Sequence, residues 1–480
     1  MSKLLLVNTN IEKAPYPVPP LGLCLLAAQL EKNFEVKIYD GVFDEGKSLH
    51  QVLISFNPDY IGFSIRNIDD VVADRHIFYV PQIISDFIQP VKKYTDVPII
   101  LGGSGFSMFP SELMEMTGAD YGIIGEGEHS LSLLLDRLDK KEDLTNIPGL
   151  IDRSYKKAPV SLSKSRQIFQ SGFAEMDRRI DFTPYLQKSA YSIQTKRGCS
   201  HACIYCTYPV IEGNLFRIRS TSDIADEIEQ VYKRLGTITF EFVDSTFNHP
   251  IGHAEAICRE IIKRKIKVHL RTMGINPRNV SDELFELMLE AGFTQIDATP
   301  DSASGKVLKL MGKGFQLREV EKMAMLIRKF DIPAMWFFLF SGPGEDEKTF
   351  AETMNFIDSY VNPDDLVYMN AGLRIYPETP LYQIALNEGR FTPGQSMLYP
   401  PVYYFSENLG KDKVDKMISE AVSNRPHCLP SNDTKPSPEL IREAMELRKG
   451  EKLSEPMFRT LLKIRKKWIL DGRLQIFNQK

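Results

Sequence analysis

The sequence predicts an α/β protein with an N-terminal parallel sheet, a central partial (β/α)6 barrel and a small helical C-terminal region. Two series of short apolar runs alternate with helical patterns, and a polar connector rich in turn residues separates the two series. The expected boundaries are residues 1–140 for the first domain, 141–189 for the linker, 190–390 for the barrel and 391–480 for a C-terminal region that caps the barrel mouth.

Composition restricts the class of protein. A chain of 480 residues exceeds one ordinary core, and 43% hydrophobic with 25% charged residues is typical of a globular protein. The net charge of −4 gives no reason to expect a nucleic-acid partner. The apolar run at 334–340 has the length of one strand, so no integral membrane segment is expected. Six cysteines do not form a disulfide framework, which favours a reducing cytoplasm.

The N-terminal series predicts a parallel sheet with helices on both faces. A helical pattern at 21–32 follows the first apolar run, and parallel sheets bind ligands outside the carboxyl ends of their strands. Glycines mark two of these ends, at 102-GGSG-105 and 125-GEGE-128. The predicted strands are 3–8, 35–40, 60–65, 97–102 and 120–125.

The second series has six strand candidates, too few for a closed eight-fold barrel, so an open partial barrel is expected. Its helices have clear signals: Ser281 is a good N-cap and Gly292 a good C-terminal stop. Chemistry in such barrels lies where strands end, and a cysteine-rich stretch follows the first strand. The predicted strands are 191–195, 237–243, 267–272, 294–299, 334–340 and 366–375.

The C-terminal region has helical patterns near 411–422, 437–449 and 456–470. The stretch 458–470 is basic and amphipathic. A helix packed on the barrel is favoured over a helix on a membrane surface. Three tyrosines in this region line a pocket or fill a core, and core packing is favoured. They are Tyr399, Tyr403 and Tyr404.

The stretch 199-CSHACIYC-206 places three thiols in eight residues. Thiolates suit an iron–sulfur cluster or zinc. A four-iron cluster held by three cysteines leaves one iron open to a small molecule. A Cys3His zinc site completed by His201 is the alternative, but structural zinc sites usually have a second ligand pair, and the sequence has none. The candidate ligands are Cys199, Cys203 and Cys206.

This motif, after the first strand of a partial barrel and with Tyr205 before its third cysteine, resembles the radical S-adenosylmethionine (SAM) superfamily. The resemblance implies a 4Fe-4S cluster whose open iron chelates the amino and carboxylate groups of SAM. Electron transfer from the cluster then cleaves SAM to a 5′-deoxyadenosyl radical. It also implies an electron donor such as flavodoxin or ferredoxin.

The same resemblance implies SAM-binding positions at the ends of later strands. Segment 242-FVDSTFN-248 resembles the second-strand motif, and 299-TPDSAS-304 lies where many members have a glutamate–serine pair. For the arginine that ends the third strand, pairing with the SAM carboxylate and a surface ion pair are both open. The predicted SAM contacts are Tyr205, Asp244, Ser245, Arg271, Asp301, Ser302, Gly342 and Gly344.

The first domain resembles the Rossmann-like cobalamin-binding domain of the cobalamin-dependent radical SAM subfamily, and 372-GLRIYPETPLY-382 resembles the closing strand of such members. The first domain lacks the D-x-H-x-x-G motif, whose histidine ligates cobalt in classical cobalamin domains. This departure implies either cobalt without a lower histidine ligand or a domain that has lost the cofactor. The predicted cobalamin contacts are Ser64, Arg66, Gly102, Gly103, Ser104, Gly125, Glu126 and Gly127.

The resemblance implies a methyltransferase that moves a methyl group from methylcobalamin to an unactivated carbon of a small or natural-product-like substrate, by means of the 5′-deoxyadenosyl radical. A radical cyclisation, ring rearrangement or decarboxylation without methyl transfer is the alternative. A methylthiotransferase is disfavoured, because the first domain has only Cys24 and no auxiliary-cluster ligands. A zinc-stabilised binding protein is a further alternative from another class.

Overall fold

The structure, a computed structural model, describes residues 1–13, 16–43, 48–74, 76–154, 172–433, 435–451 and 455–473. A six-stranded sheet forms the first domain, in the order β2-β1-β3-β4-β5-β6. Its first five strands are parallel, as predicted, and β6 is antiparallel to β5. The strands are β1 (Lys3–Asn8), β2 (Glu35–Asp40), β3 (Tyr60–Ser64), β4 (Ile99–Gly102), β5 (Tyr121–Ile123) and β6 (Leu150–Asp152).

The switch point of this strand order lies between β1 and β3. The connections after these two strands run to opposite sides there, and sheets of this kind bind ligands in the crevice that results. The central strands β1, β3 and β4 are apolar along most of their length because helices cover both faces of the sheet. The helices are α1 (Leu21–Leu30), α2 (Leu49–Phe56), α3 (Val80–Ile83), a π-helical turn (Ile84–Ile88), α4 (Gln89–Tyr94), α5 (Ser104–Met108), α6 (Pro110–Thr117) and α7 (Gly127–Lys140).

The predicted linker contributes ordered structure at both of its ends. Strand β6 extends the first sheet, while α8 (Met176–Arg179) and α9 (Thr183–Lys188) lead into the barrel. Residues 155–171 of this linker lie outside the described residues. Tyr185 of α9 donates a hydrogen bond of 2.7 Å to Asp40 of β2, so the linker packs against the first domain.

The barrel sheet has seven parallel strands in the order β17-β14-β13-β12-β11-β10-β7, and its two edge strands do not pair with each other in the described part of the chain. The six predicted strands are present. The strands of this half are β7 (Tyr191–Ile193), β8 (Lys196–Arg197), β9 (Arg217–Ile218), β10 (Thr239–Phe242), β11 (His269–Ile275), β12 (Phe293–Asp301), β13 (Ala334–Phe340), β14 (Leu366–Ala371), β15 (Leu373–Arg374), β16 (Tyr403–Tyr404) and β17 (Cys428–Pro430).

Helices alternate with these strands on the outside of the barrel. Ser281 caps the helix Asp282–Ala291 by accepting a 3.1 Å hydrogen bond from the Leu284 N–H, and Gly292 ends it at φ +103°, as predicted. The helices are α10 (Tyr208–Glu212), α11 (Thr221–Leu235), α12 (Ile251–Lys263), the 3₁₀ turn Pro277–Asn279, α13 (Asp282–Ala291), α14 (Gly305–Leu310), α15 (Leu317–Phe330), α16 (Glu347–Tyr360) and α17 (Pro380–Asn387).

The C-terminal region adds the seventh barrel strand, β17, which the sequence did not predict because its three residues lack a strand pattern. Helix α20 packs on α19, with Phe458, Leu462, Ile464 and Trp468 buried, which agrees with the packed rather than the membrane-surface interpretation. The remaining elements are α18 (Gly410–Ser423), the 3₁₀ turn Ser431–Asp433, α19 (Pro438–Glu451) and α20 (Met457–Leu470).

The two domains share a continuous hydrophobic core, and a buried ion pair crosses between them. Arg374 Nε lies 3.0 Å from Asp69 Oδ2, and their side chains are 1% and 0% exposed. Of the three C-terminal tyrosines, Tyr404 is buried in this core and Tyr403 lies beneath the Arg374 guanidinium, whereas Tyr399 is exposed. Among the described residues, no helix is both long and apolar enough to cross a membrane.

Candidate active site

The cysteine loop follows β8, and hydrogen bonds from its backbone to neighbouring segments hold it in place. The Cys199 N–H donates to the Gly213 carbonyl at 3.1 Å, and the Ile204 N–H donates to the Met311 carbonyl at 3.1 Å. All three cysteines of the loop are free thiols. The loop therefore presents three thiols from a fixed backbone at the carboxyl end of the first barrel strand.

Burial disfavours the ionised form of these three thiols. It raises the pKa of Cys199 and Cys203, and it raises the pKa of Cys206 to about 12. Thiolates bind metals, so the positive charge of a bound metal would have to supply the ionisation. The chemistry of the donor set fits an iron–sulfur cluster, whose three cysteines would each bind a separate iron atom.

The zinc alternative needs His201 as a fourth ligand, and the structure gives this ring other contacts. The ring of His201 instead contacts Asn276 Nδ2 at 3.2 Å and packs against His249 and Phe216. Burial, together with the positive charge of neighbouring groups, lowers its pKa to about 4. His201 is therefore a neutral loop residue in this arrangement.

Tyr205, before the third cysteine, joins a buried trio with Asp301 and Lys313. The Tyr205 hydroxyl donates to the Asp301 carboxylate, and Lys313 Nζ bonds the same carboxylate and lies 3.2 Å from the Tyr205 hydroxyl. Asp301 ends β12 at φ +64°, an uncommon conformation for a residue other than glycine. Two predicted SAM contacts, Tyr205 of the cysteine loop and Asp301 of β12, thus contact each other. Lys313, which the sequence analysis missed, contacts both.

Asp244 and Ser245 follow β10 and face the start of the cysteine loop. The Asp244 carboxylate accepts hydrogen bonds from the Thr195 N–H (2.7 Å) and hydroxyl (2.6 Å), and it forms a buried ion pair of 3.0 Å with Lys196 Nζ. The Ser245 hydroxyl donates to the Gly198 carbonyl at 3.0 Å. Both side chains hold the cysteine loop in place, and a direct contact with SAM stays a prediction for each.

Ser302, Gly342 and Gly344 lie at the ends of the fourth and fifth barrel strands. Ser302 is buried, and its hydroxyl accepts from the Ser304 N–H at 3.1 Å, so it shapes the backbone after β12. The Gly342 N–H donates to Glu345 Oε2 at 3.0 Å, which closes the 342-GPGE-345 turn. Burial raises the pKa of Glu345 to about 7. The sequence analysis assigned no role to Glu345, whose side chain closes this turn.

Arg271 of β11 is not part of a surface ion pair. Its Nε lies 2.6 Å from Glu241 Oε1, and its guanidinium lies 4.4 Å from the centre of the Tyr16 ring. The Tyr16 hydroxyl also donates to Glu241 at 3.0 Å. A residue from the loop after β1 thus reaches into the barrel, and the side chain of Arg271 is largely committed within the protein.

The predicted cobalamin positions at 64–66 and 102–104 meet at the carboxyl edge of the first sheet. The Ile65 N–H donates to the Gly102 carbonyl at 2.8 Å, and the Ser104 hydroxyl donates to the Arg66 carbonyl at 3.2 Å. Ser104 and Arg66 are exposed at this edge. This edge, which we call the shelf, consists of the backbone that follows β3 and β4, next to the switch point where such sheets bind ligands.

The two glycines of this shelf have different roles, which gives a matched test. A Cβ on Gly103, at φ +101°, would lie 2.6 Å from the Ile65 carbonyl oxygen, whereas a Cβ on Gly102 would meet nothing within 3.4 Å. Gly103→Ala is expected to lower the free energy of unfolding by about 1–3 kcal/mol. Gly102→Ala is expected to keep the fold and weaken cobalamin binding.

Urea denaturation measures the first effect, and titration with hydroxocobalamin followed by absorbance measures the second. Unchanged cobalamin binding by a folded Gly102→Ala variant would show that this position does not contact the corrin.

The second glycine-rich stretch, 125-GEGE-128, forms ion pairs with the barrel, and its contact with cobalamin stays a prediction. Glu126 lies 3.1 Å from Arg197 Nη1 and also pairs with Arg217, and Glu128 pairs with Arg197. Both arginines belong to the barrel and are 8% exposed. The carboxylate of Glu126 therefore joins the two domains, and Gly125 and Gly127 flank this joint.

The histidines of the first domain bear on the missing D-x-H-x-x-G motif. His50, His76 and His129 are all exposed in the structure. None of them belongs to the segments 64–66 and 102–104 that form the shelf.

A parallel sheet with an open crevice, set against a partial barrel that carries three cysteines, defines a class of two-domain radical enzymes. Residues 7–135 match the B12 binding domain, and residues 193–357 match the radical SAM superfamily. The chain belongs to the cobalamin-dependent group of the radical SAM superfamily.

Several known proteins are similar over most of the chain. An uncharacterised methyltransferase of Pyrococcus horikoshii is 25% identical over 80% of this chain and 83% of its own. The tryptophan 2-C-methyltransferase of Streptomyces laurentii is 25% identical over 78% of this chain and 72% of its own. The solved structure of the radical SAM methyltransferase TsrM from Kitasatospora setae, with cobalamin and a 4Fe-4S cluster bound, superimposes with a TM-score of 0.81 at 23% identity, covering 98% of this chain and 99% of TsrM.

Proposed function

We propose that this protein is a cobalamin-dependent radical SAM C-methyltransferase that acts on a small substrate. The observation that carries the proposal is the opposition of the two sites. The loop after β1 reaches Glu241 and Arg271 through Tyr16, and the stretch after β5 pairs with Arg197 and Arg217. The carboxyl ends of both sheets therefore open towards one shared space.

Residues on both sides of this space have assignable roles. Cys199, Cys203 and Cys206 would hold the cluster, and the shelf at 64–66 and 102–104 would support the corrin from the opposite side. When bound, these cofactors supply reductive cleavage of SAM and a methyl group carried on cobalt. The protein holds the reacting groups close together and keeps water away from them.

Further support comes from the relatives that cover most of the chain. Two of them are named methyltransferases, and one of these acts on carbon 2 of tryptophan. We extend this activity to the present chain, and we propose that it works in a reducing cytoplasm with flavodoxin or ferredoxin as electron donor.

The products of SAM test the proposal. The reconstituted, cobalamin-loaded protein is incubated without oxygen with SAM labelled by deuterium in its methyl group, a reductant and L-tryptophan as first probe. We expect S-adenosylhomocysteine together with 5′-deoxyadenosine, and a mass increase of one labelled methyl group in the probe. Across a panel of aromatic amines, formation of 5′-deoxyadenosine alone would establish the non-methylating alternative instead.

A methylthiotransferase remains disfavoured. The ribosomal protein uS12 methylthiotransferase of a Thermotoga species is 27% identical, but the match covers 38% of this chain. An auxiliary cluster would need thiols in the first domain, where Cys24 is fully buried in α1 and burial raises its pKa above the ordinary range.

A further inference from the structure

The barrel interior contains charged and aromatic side chains that the cofactors do not account for. Glu241 stands beside Arg271 in register, and Phe337 stands beside Tyr368. Asp297 lies on the strand between these two pairs. We call these five residues the inner wall. All of them come from adjacent strands of the barrel sheet, from β10 to β14.

Two charges of the inner wall neutralise each other. Arg271 Nε lies 2.6 Å from Glu241 Oε1, and Tyr16 covers this ion pair by a hydrogen bond to Glu241 and by its ring beneath the guanidinium. The charges of the pair are balanced within the protein, although Arg271 Nη2 is buried without a hydrogen-bond partner among the described residues.

Asp297 has no such partner. Its side chain is buried, with 7% exposed, and its one hydrogen bond among the described residues comes from Gln295 Nε2 at a marginal 3.5 Å. Among the described residues, no lysine, arginine or histidine forms an ion pair with Asp297. Burial, reinforced by the charge of Glu241 and opposed by that of Arg271, raises its pKa to about 7. The one guanidinium of the inner wall forms its ion pair with Glu241, so two carboxylates share one cation. A buried carboxylate without its own ion-pair partner is costly, and a ligand cation would remove this cost.

An aromatic surface lies beside this carboxylate. The rings of Phe337 and Tyr368 stack with centroids 5.2 Å apart, and both residues are half-buried on the face of their strands opposite the helix-packed core. Asp297 stands beside Met335 in register, and Phe337 is two residues further along the same face of β13. Burial, together with the negative charge of Asp297, raises the pKa of Tyr368. A carboxylate next to aromatic rings is a suitable setting for an organic ammonium group.

The distance along β12 is suitable for a small molecule. Asp297 lies four residues before Asp301, which contacts Tyr205 of the cysteine loop. At the usual rise of a strand, this separation is about 13 Å. A substrate anchored at Asp297 would therefore extend towards the space next to the cluster.

We infer that the substrate carries a protonated amine, which Asp297 binds, and an aromatic or apolar body that lies against Phe337 and Tyr368. This inference rests on the proposed function and narrows its substrate class. It disfavours an anionic substrate, such as that of the cytidylyl-2-hydroxyethylphosphonate methyltransferase of Streptomyces wedmorensis, because the inner wall has two carboxylates and one guanidinium and so repels a further negative charge.

A matched pair of probes tests the inference by binding alone. 2-Phenylethylamine and 2-phenylethanol have the same shape and differ by an ammonium against a hydroxyl group. Isothermal titration of the reconstituted, cobalamin-loaded protein with each probe is expected to show at least about tenfold tighter binding of the amine, the effect of a charged hydrogen bond. Asp297→Asn is expected to abolish this preference, and Asp297→Glu to retain it.

Asp331→Asn is the control, because Asp331 is on the same half of the chain and its side chain is 78% exposed. It is expected to leave the amine preference unchanged. Equal binding of the two probes by the wild type would overturn the inference, as would a preference that survives in Asp297→Asn. Iron content and cobalamin absorbance show whether each variant is folded and loaded.

The failure of this inference is distinguishable from the failure of the proposed function. An amine preference without formation of S-adenosylhomocysteine would keep the substrate class and reject the methyl transfer. Methyl transfer without an amine preference would do the opposite.

Discussion

Cys203→Ala is expected to abolish SAM cleavage and to remove the iron–sulfur cluster. The three thiols of the loop are the predicted cluster ligands, and the other cysteines, Cys24, Cys258 and Cys428, are buried elsewhere in the protein. Loss of one ligand therefore leaves two irons without a protein ligand. After anaerobic reconstitution we expect iron to fall from about four atoms per chain to a small fraction of that. Iron analysis, absorbance near 400 nm and assay of 5′-deoxyadenosine measure the effect.

Cys258→Ala is the matched control. Cys258 is fully buried in α12 and lies outside the loop, so this variant loses a buried thiol but no cluster ligand. It is expected to retain its iron and to cleave SAM. A Cys203→Ala protein that keeps a full cluster would contradict the assignment. A colourless wild type with one zinc and no iron would contradict the whole radical chemistry.

The fold was largely predictable from the sequence, because the signals that define its strands and helices lie within each element. Apolar runs of strand length alternating with capped helices specify a parallel sheet wherever they occur. Ser281 and Gly292, for example, mark both ends of their helix in the sequence as in the structure. Strand β17 was missed because three residues in a helical region carry no periodic signal.

The roles of individual polar residues were less predictable, because they depend on partners far away in the chain. Glu126 pairs with Arg217, 91 residues later, so a carboxylate in a glycine-rich loop could not be assigned correctly from that loop alone. Motif position placed Asp244 near the site. Only the structure shows that Thr195 and Lys196 occupy its carboxylate.

Some missed residues did leave a signal. Glu241 and Asp297 are charged residues with apolar neighbours in the barrel strands, in 240-FEF-242 and 296-IDA-298. A charge on the inward side of such a strand faces a cavity more often than solvent. Lys313 lies between two glycines, Gly312 and Gly314, in a turn that the structure places against the cysteine loop.

Lys313→Met is expected to be among the most destabilising single changes in the barrel. Lys313 and Asp301 are both buried, and Lys313 bonds the carboxylate that also receives the Tyr205 hydroxyl. Removing the lysine leaves a buried carboxylate without a cation, which costs about 3–5 kcal/mol in the free energy of unfolding. Urea denaturation of the iron-free protein, followed by circular dichroism, measures the loss. Because Tyr205 precedes the third cysteine, we also expect slower cluster assembly.

The double variant Lys313→Met with Asp301→Asn separates charge from packing. Asparagine keeps the acceptor for the Tyr205 hydroxyl, tolerates the φ of +64° at this position and removes the uncompensated charge. We therefore expect it to recover about 1–3 kcal/mol of the loss. Lys306→Met is the control, since Lys306 is 50% exposed in its ion pair with Asp346. Its expected cost is below about 1 kcal/mol. Equal losses in Lys306→Met and Lys313→Met would show that the buried trio does not stabilise the barrel beyond an ordinary surface ion pair.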